Sequence, residues 1–350
     1  MRRLIFALTV AVASLTVLVR ADDLVLARFG DYIDALRTQA GIPGLAGTIV
    51  GPSGAVWEGV FGLQNVERAV AARADTPFHL DGSAQLVAAA LVLRCAEEGR
   101  LSLDDPIGKF QPSSPDAAAT IRQVLSHTSA GPAGLTFLYR PERLDALAAP
   151  ISNCIGPSYR GPVAGLLDRL AMYDSVPGPD SATLAPSTDG ITEPTRARYA
   201  DALTRLATPY AVDAAGRPSP SRYAPLTITP AGGLVSTVRD LARFDLALKQ
   251  GVLLRSDTLA LAWSGPADRN GLSLPHGLGW FVQSYNGEPV IWQFGVGDNA
   301  SSSMIVTLPR RGLTLILLAN SQGLARPFPL AAGDVTVSPF ARVFLGIFVR

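Results

Sequence analysis

Between Pro77 and Pro106 the chain reads PFHLDGSAQLVAAALVLRCAEEGRLSLDDP. This is a short strand, a tight polar turn and a long helix that stops at Glu97-Glu98-Gly99-Arg100. From about Ser83 to Glu98 the helix is apolar nearly all round. A helix with no polar stripe has no face to offer to water, so it must sit at the centre of a fold with other elements on every side.

The segments around it supply those elements. Asp23 to Ala40 carries Leu24, Leu26, Phe29, Ile33 and Leu36 on one side of an amphipathic helix, ended by Ile42-Pro43-Gly44. Residues 46–50 and 55–61 read as a hairpin around Gly51-Pro52-Ser53-Gly54. From Asp104 to about Pro225 no strong strand pattern appears. Helical stretches (121–126, 140–148, 163–172 and 195–207) alternate there with Pro/Gly-rich loops. A helix over 238–250 follows. Strand-like runs at 277–285, 289–294, 301–308 and 312–320 come next, joined by turns such as Asn286-Gly287, and predict an antiparallel meander. Residues 338–350 close the chain as an apolar helix. The expectation is an α/β (α+β) fold whose antiparallel sheet takes strands from both ends of the chain. Its domain limits are 22–105 and 226–350 for the α/β part and 106–225 for a helical insert.

Composition narrows the function. The 350 residues are 48% apolar and 17% charged, with a net charge of +1. That is globular, and it gives no reason to expect a nucleic-acid partner. Arg2-Arg3, the apolar run Leu4–Val19 and Val19-Arg20-Ala21 read as a signal peptide over 1–21, cleaved after Ala21, so an exported, periplasmic or secreted protein is expected. An uncleaved N-terminal anchor is the alternative. No other run is long enough to cross a bilayer. Cys95 and Cys154 can form one bridge in an exported protein, but Cys95 lies in an apolar helix, and two buried thiols are the expectation. His79, His127 and His276 are scattered and have no metal-ligand spacing, so no metal and no cofactor are expected. A Ser-His-Asp triad assembled in space remains open at this point.

Several phrases in order carry a resemblance: the Pro77–Pro106 segment, Ile121-Arg-Gln-Val-Leu-Ser-His-Thr-Ser-Ala-Gly131, Ala231-Gly-Gly-Leu-Val-Ser-Thr-Val-Arg-Asp-Leu-Ala-Arg-Phe244, Pro275-His-Gly-Leu-Gly-Trp280 and Leu317-Leu-Ala-Asn-Ser321. Together they resemble the penicillin-recognising serine hydrolases: serine β-lactamases, D-alanyl-D-alanine carboxypeptidases and related esterases. The resemblance implies the β-lactamase/transpeptidase-like fold. It also implies three catalytic pieces, and each is altered here. Its Ser-x-x-Lys would fall at 82 and 85, where this chain has Gly82 and Gln85. Glycine cannot attack a carbonyl, and glutamine is no base. Ser83 is one residue along, about 100° round a helix, with Leu86 three residues on; its other reading is a helix cap. Only Lys109 and Lys249 occur, preceded at i−3 by Pro106 and Leu246, so no register supplies Ser-x-x-Lys. The Tyr-x-Asn piece becomes Tyr139-Arg-Pro141, and the Lys/His-x-Gly piece becomes Gln293-Phe-Gly295. Glutamine there can donate hydrogen bonds but brings no charge.

Two functions follow as expectations. One is a catalytically inactive homologue that binds a small molecule or a cell-wall peptide at Gly82, Ser83, Gln85, Tyr139, Gln293 and Gly295. The other is a hydrolase using a displaced nucleophile such as Ser83 with Tyr139. A purely structural role is the third possibility.

Overall fold

A computed structural model describes residues 21–130, 136–184, 188–224 and 227–349. The expected leader, apart from Ala21, lies outside them. Helix α1 (Ala21–Gln39) leads through Gly41, at φ +64°, into β1 (Gly44–Val50). The chain turns where the Gly51 N–H donates to the Gly54 carbonyl at 2.7 Å and returns as β2 (Ala55–Asn65), edged by β3 (Val70–Ala71). Strand β4 (Phe78–His79) precedes a 3-10 turn, Asp81–Ala84, and the apolar helix α2 (Gln85–Glu97). The helix therefore begins two residues later than Ser83, because Asp81 sits at φ +49° and bends the chain before it enters α-geometry.

The middle of the chain holds α3 (Ile121–Leu125), whose start is fixed by reciprocal hydrogen bonds between Thr120 and Gln123. A 3-10 segment, Pro141–Leu147, then runs straight into α4 (Ala148–Ile155), followed by α5 (Arg160–Arg169). Beyond it lie β5 (Val176–Pro177), α6 (Glu193–Thr204), β6 (Tyr210–Val212), β7 (Pro218–Pro220) and β8 (Leu234–Ser236). Three of these strands fall where no strand pattern was visible, since two or three residues are too few to show a period of two. Strand β8 pairs with both β4 and β5, while β6 pairs with β7. Helix α7 (Val238–Lys249) is capped by the Thr237 side chain, and α8 (Ser256–Ala262) follows it.

The C-terminal meander is β9 (Phe281–Tyr285), β10 (Glu288–Val296), β11 (Ser302–Leu308) and β12 (Leu313–Ala319), closed by α9 (Pro339–Phe348). Asn286 (φ +50°) and Gly287 (φ +76°) make the two-residue turn that sets Tyr285 opposite Glu288. The run expected from Gly277 starts as a strand only at Phe281. A Cβ at Gly277 would lie 2.1 Å from the Ala262 carbonyl, so this stretch packs against the end of α8 instead of pairing. The main sheet has the order β3-β2-β1-β12-β11-β10-β9, with antiparallel pairing throughout, so strands from both ends of the chain meet at β1 and β12.

Alternation along these strands feeds two cores. Leu45, Ile49, Met304, Val306, Leu315 and Leu317 pack on one face with Phe29 of α1 and Phe340 and Phe344 of α9. Ala46, Ile305, Ile316 and Leu318 pack on the other, against α2 and α7. Residues Ala88 to Leu93 of α2 are fully buried, as its all-round apolar surface demands. Cys95 and Cys154 are joined by a disulfide that ties α2 to α4. The expectation of two free thiols is thereby corrected: the partners are 59 residues apart and become neighbours only when α4 folds back over α2.

Candidate functional site

The bend at Asp81 and strand β10 form the floor of a cleft of about 420 Å³, walled by the Tyr139–Asp145 stretch and by residues 229–232. The strand comes very close to the turn. A Cβ at Gly295 would lie 2.1 Å from the Leu80 carbonyl and 2.8 Å from the Gly82 nitrogen, so glycine is required there. A Cβ at Gly82 would lie 2.9 Å from the Phe294 carbonyl. The Asp81 carboxylate, 6% exposed, is held 2.9 Å from His79 Nδ1 and accepts the Ser301 hydroxyl at 2.6 Å. His79 in turn stacks on Tyr223 at 5.2 Å between ring centroids.

Gln85, Tyr139 and Gln293 meet in one hydrogen-bonded chain, and His127 joins them. The Arg140 N–H donates to His127 Nδ1 at 3.2 Å, which leaves the ring proton on Nε2. His127 Nε2 then donates to Gln85 Oε1 at 3.1 Å, and Gln85 Nε2 donates to the Tyr139 hydroxyl at 2.9 Å. That hydroxyl donates onward to Gln293 Oε1 at 3.5 Å, a long bond, and Gln293 Nε2 donates to the Gly279 carbonyl at 3.2 Å. Every link is neutral. Burial, reinforced by nearby His276, holds His127 well below the ordinary imidazole value, and burial lowers His276 to about 3. Burial also raises the Tyr139 hydroxyl far above the usual phenol value, so this tyrosine does not give up its proton at neutral pH.

Such a chain holds a shape and moves no proton out of it. A general base must be able to accept a proton near neutral pH, and the chain offers two amides, a phenol that stays protonated and an imidazole kept neutral by burial. Ser83 does not fill the gap. It is 2% exposed, and its Oγ lies 2.7 Å from Ser303 Oγ, which is itself 2.7 Å from the Leu80 carbonyl. The expected cap at Ser83 is also absent: no side-chain cap bond opens the turn or α2, because the hydroxyl points at β11.

Of the residues singled out from sequence, Gly82 and Tyr139 line the cleft, Gln85 and Gln293 lie behind it, and Gly295 allows the close approach of β10. Pro141 lines the cleft and opens the 3-10 segment. Gly295 and Val296 form the end of β10. Sequence reading gave His127 no place beside Gln85 and did not assemble the His79–Asp81–Ser301 cluster. These residues lie far apart in the chain or look like ordinary turn residues, and nothing in their spacing announces the contact.

A family model described as Beta-lactamase matches residues 29–155 and 163–336. No curated protein matches the chain. Among solved structures, an octameric penicillin-binding protein homologue from Pyrococcus abyssi aligns with a TM-score of 0.72 at 20% identity, over 91% of this chain and 77% of that one. A class C β-lactamase from Rhodobacter sphaeroides gives 0.67 at 18%, over 92% and 99%. A D-alanine carboxypeptidase from Burkholderia cenocepacia gives 0.70 at 18%, over 93% and 100%. At these identities the likeness is one of fold.

Proposed function

The chain belongs to the β-lactamase family, and from that membership we propose that it is an exported, non-acylating member that binds a ligand reversibly in the cleft. The observation that carries the reading is the closed neutral chain His127–Gln85–Tyr139–Gln293 beside Gly82. Position 82 carries no nucleophile, and Gln85, Tyr139 and Gln293 beside it are already hydrogen-bonded to one another. Losing one member of a catalytic unit commonly costs orders of magnitude in rate. Here the attacking group, the base and the cation are all replaced. The cleft itself remains open between β10 and the Tyr139–Asp145 wall, which is where a ligand would sit. Export is supported by the leader-like residues 1–21 and by the Cys95–Cys154 disulfide, since such bonds persist in oxidising compartments.

Intact-mass spectrometry of the protein recovered from the producing cells tests both parts. The expected mass is that of a chain beginning at Asp22, and it is unchanged after incubation with a penicillin or a fluorophosphonate. An adduct that disappears in Ser83→Ala would establish the hydrolase reading instead.

A further inference from the structure

We infer that an autoinhibitory contact is built into the cleft floor: the main chain of β10 occupies the space that a nucleophile at position 82 would need. Acylation is then barred by the backbone as well as by the replaced side chains, and restoring Ser-x-x-Lys at 82 and 85 does not restore it. This goes beyond the reading of the cleft as non-acylating, which rests on the residues missing from it. Gly82 does not take a left-handed φ, so its backbone would accept other residues, and it is space that calls for glycine. A Cβ there would lie 2.9 Å from the Phe294 carbonyl oxygen, 3.4 Å from Gly295 Cα and 3.4 Å from Gln85 Nε2. The first two are main-chain atoms, which cannot swing aside as the end of a side chain can.

Neither side of this contact is free to retreat. The turn is fastened to β11: Ser301 Oγ donates to Asp81 Oδ2 at 2.6 Å, and Ser303 Oγ donates to the Leu80 carbonyl at 2.7 Å and stands 2.7 Å from Ser83 Oγ. The Leu80 N–H also donates to the Leu234 carbonyl of β8 at 2.9 Å. On the other side, β10 is paired with β11 from Ile291 to Val296, so Phe294 cannot move off without disturbing that ladder. Position 85 is closed independently. The His127 N–H needs the acceptor that Gln85 Oε1 supplies, and a lysine ammonium has only donors to offer. Both members of the motif would enter places shaped for what now stands there.

The test compares three variants of the full mature protein with wild type. Gly82→Ala adds the Cβ alone and should lower the thermal midpoint by a few degrees, as overpacking does. Gly165→Ala in α5 is the control. A Cβ there meets nothing within 4 Å and the helix gains a better helix former, so its midpoint should equal or exceed that of wild type. Gly82→Ser/Gln85→Lys, checked for folding by circular dichroism, should keep its unmodified mass after incubation with a penicillin and, separately, a fluorophosphonate. If the double variant does not fold, the Gly82→Ala midpoint alone decides. A wild-type midpoint for Gly82→Ala, or a stoichiometric adduct at position 82 of the double variant, would overturn the inference. Failure of the underlying reading looks different: it is an adduct on the wild-type protein.

Discussion

At position 85 a neutral amide occupies the place where the resemblance calls for a lysine, and its neighbours match an amide. Gln85 accepts from His127 with one end and donates to Tyr139 with the other. An ammonium there would have no acceptor to replace Oε1 and would face the His127 N–H, leaving a buried donor unsatisfied. The absence of Ser-x-x-Lys was legible from two lysines and a count of residues. The compensation was not, because His127 lies 42 residues away and reads as an ordinary loop histidine. Two predictions belong to this scale. Gly295→Ala should destabilise the fold by about 3 kcal/mol, since its Cβ would meet the Leu80 carbonyl at 2.1 Å; a denaturation midpoint equal to wild type would contradict the packing described. The second concerns pH. His276 has a folded value of about 3 against 6.5 for the free side chain. Above about pH 6.5 both states leave it neutral, and below that the unfolded chain takes up a proton that the folded chain refuses. Stability should therefore fall as pH drops from 6.5 towards 3, with His276 contributing up to about 1.4 kcal/mol per pH unit. His127 adds in the same direction. His276→Asn, which does not titrate, should flatten that slope in urea titrations; an unchanged slope would show that the burial of His276 does not drive it.

At the scale of elements, much of the chain was readable because its signals are local. Asn286-Gly287 specifies a hairpin, Thr237 caps α7, and the apolar circumference of α2 demands a central position. Strands β5, β6 and β7 escaped notice because tertiary pairing and not periodicity creates them, and α8 because seven residues show too little of a helical period. The disulfide escaped for a related reason: pairing across 59 residues is a property of how α4 lies on α2, not of either segment alone. That crosslink closes a long loop around the element that carries position 85. The Cys95→Ala/Cys154→Ala variant should lose about 2–4 kcal/mol of stability in denaturant titrations. Identical stability would mean that the link between α2 and α4 is already held by packing alone.

At the scale of the molecule, the sheet built from both chain ends, the two cores and the cleft beside α2 are those expected of the family, and the family match spans most of the chain. The departures from the family's catalytic pattern read from the sequence, at Gly82, Gln85, Pro141 and Gln293, lie in or directly behind the cleft. Gly82 has no attacking atom, Ser83 is turned into the sheet, and Gln85, Tyr139 and Gln293 are hydrogen-bonded to one another. On the function proposed above, the scaffold holds a ligand at a site that does not become acylated. The most direct measurement is the intact mass of the mature protein after prolonged incubation with a penicillin and, separately, a fluorophosphonate. The predicted result is an unmodified mass in both cases. A stoichiometric adduct, lost on Ser83→Ala or mapped to any other serine of the cleft, would contradict the account.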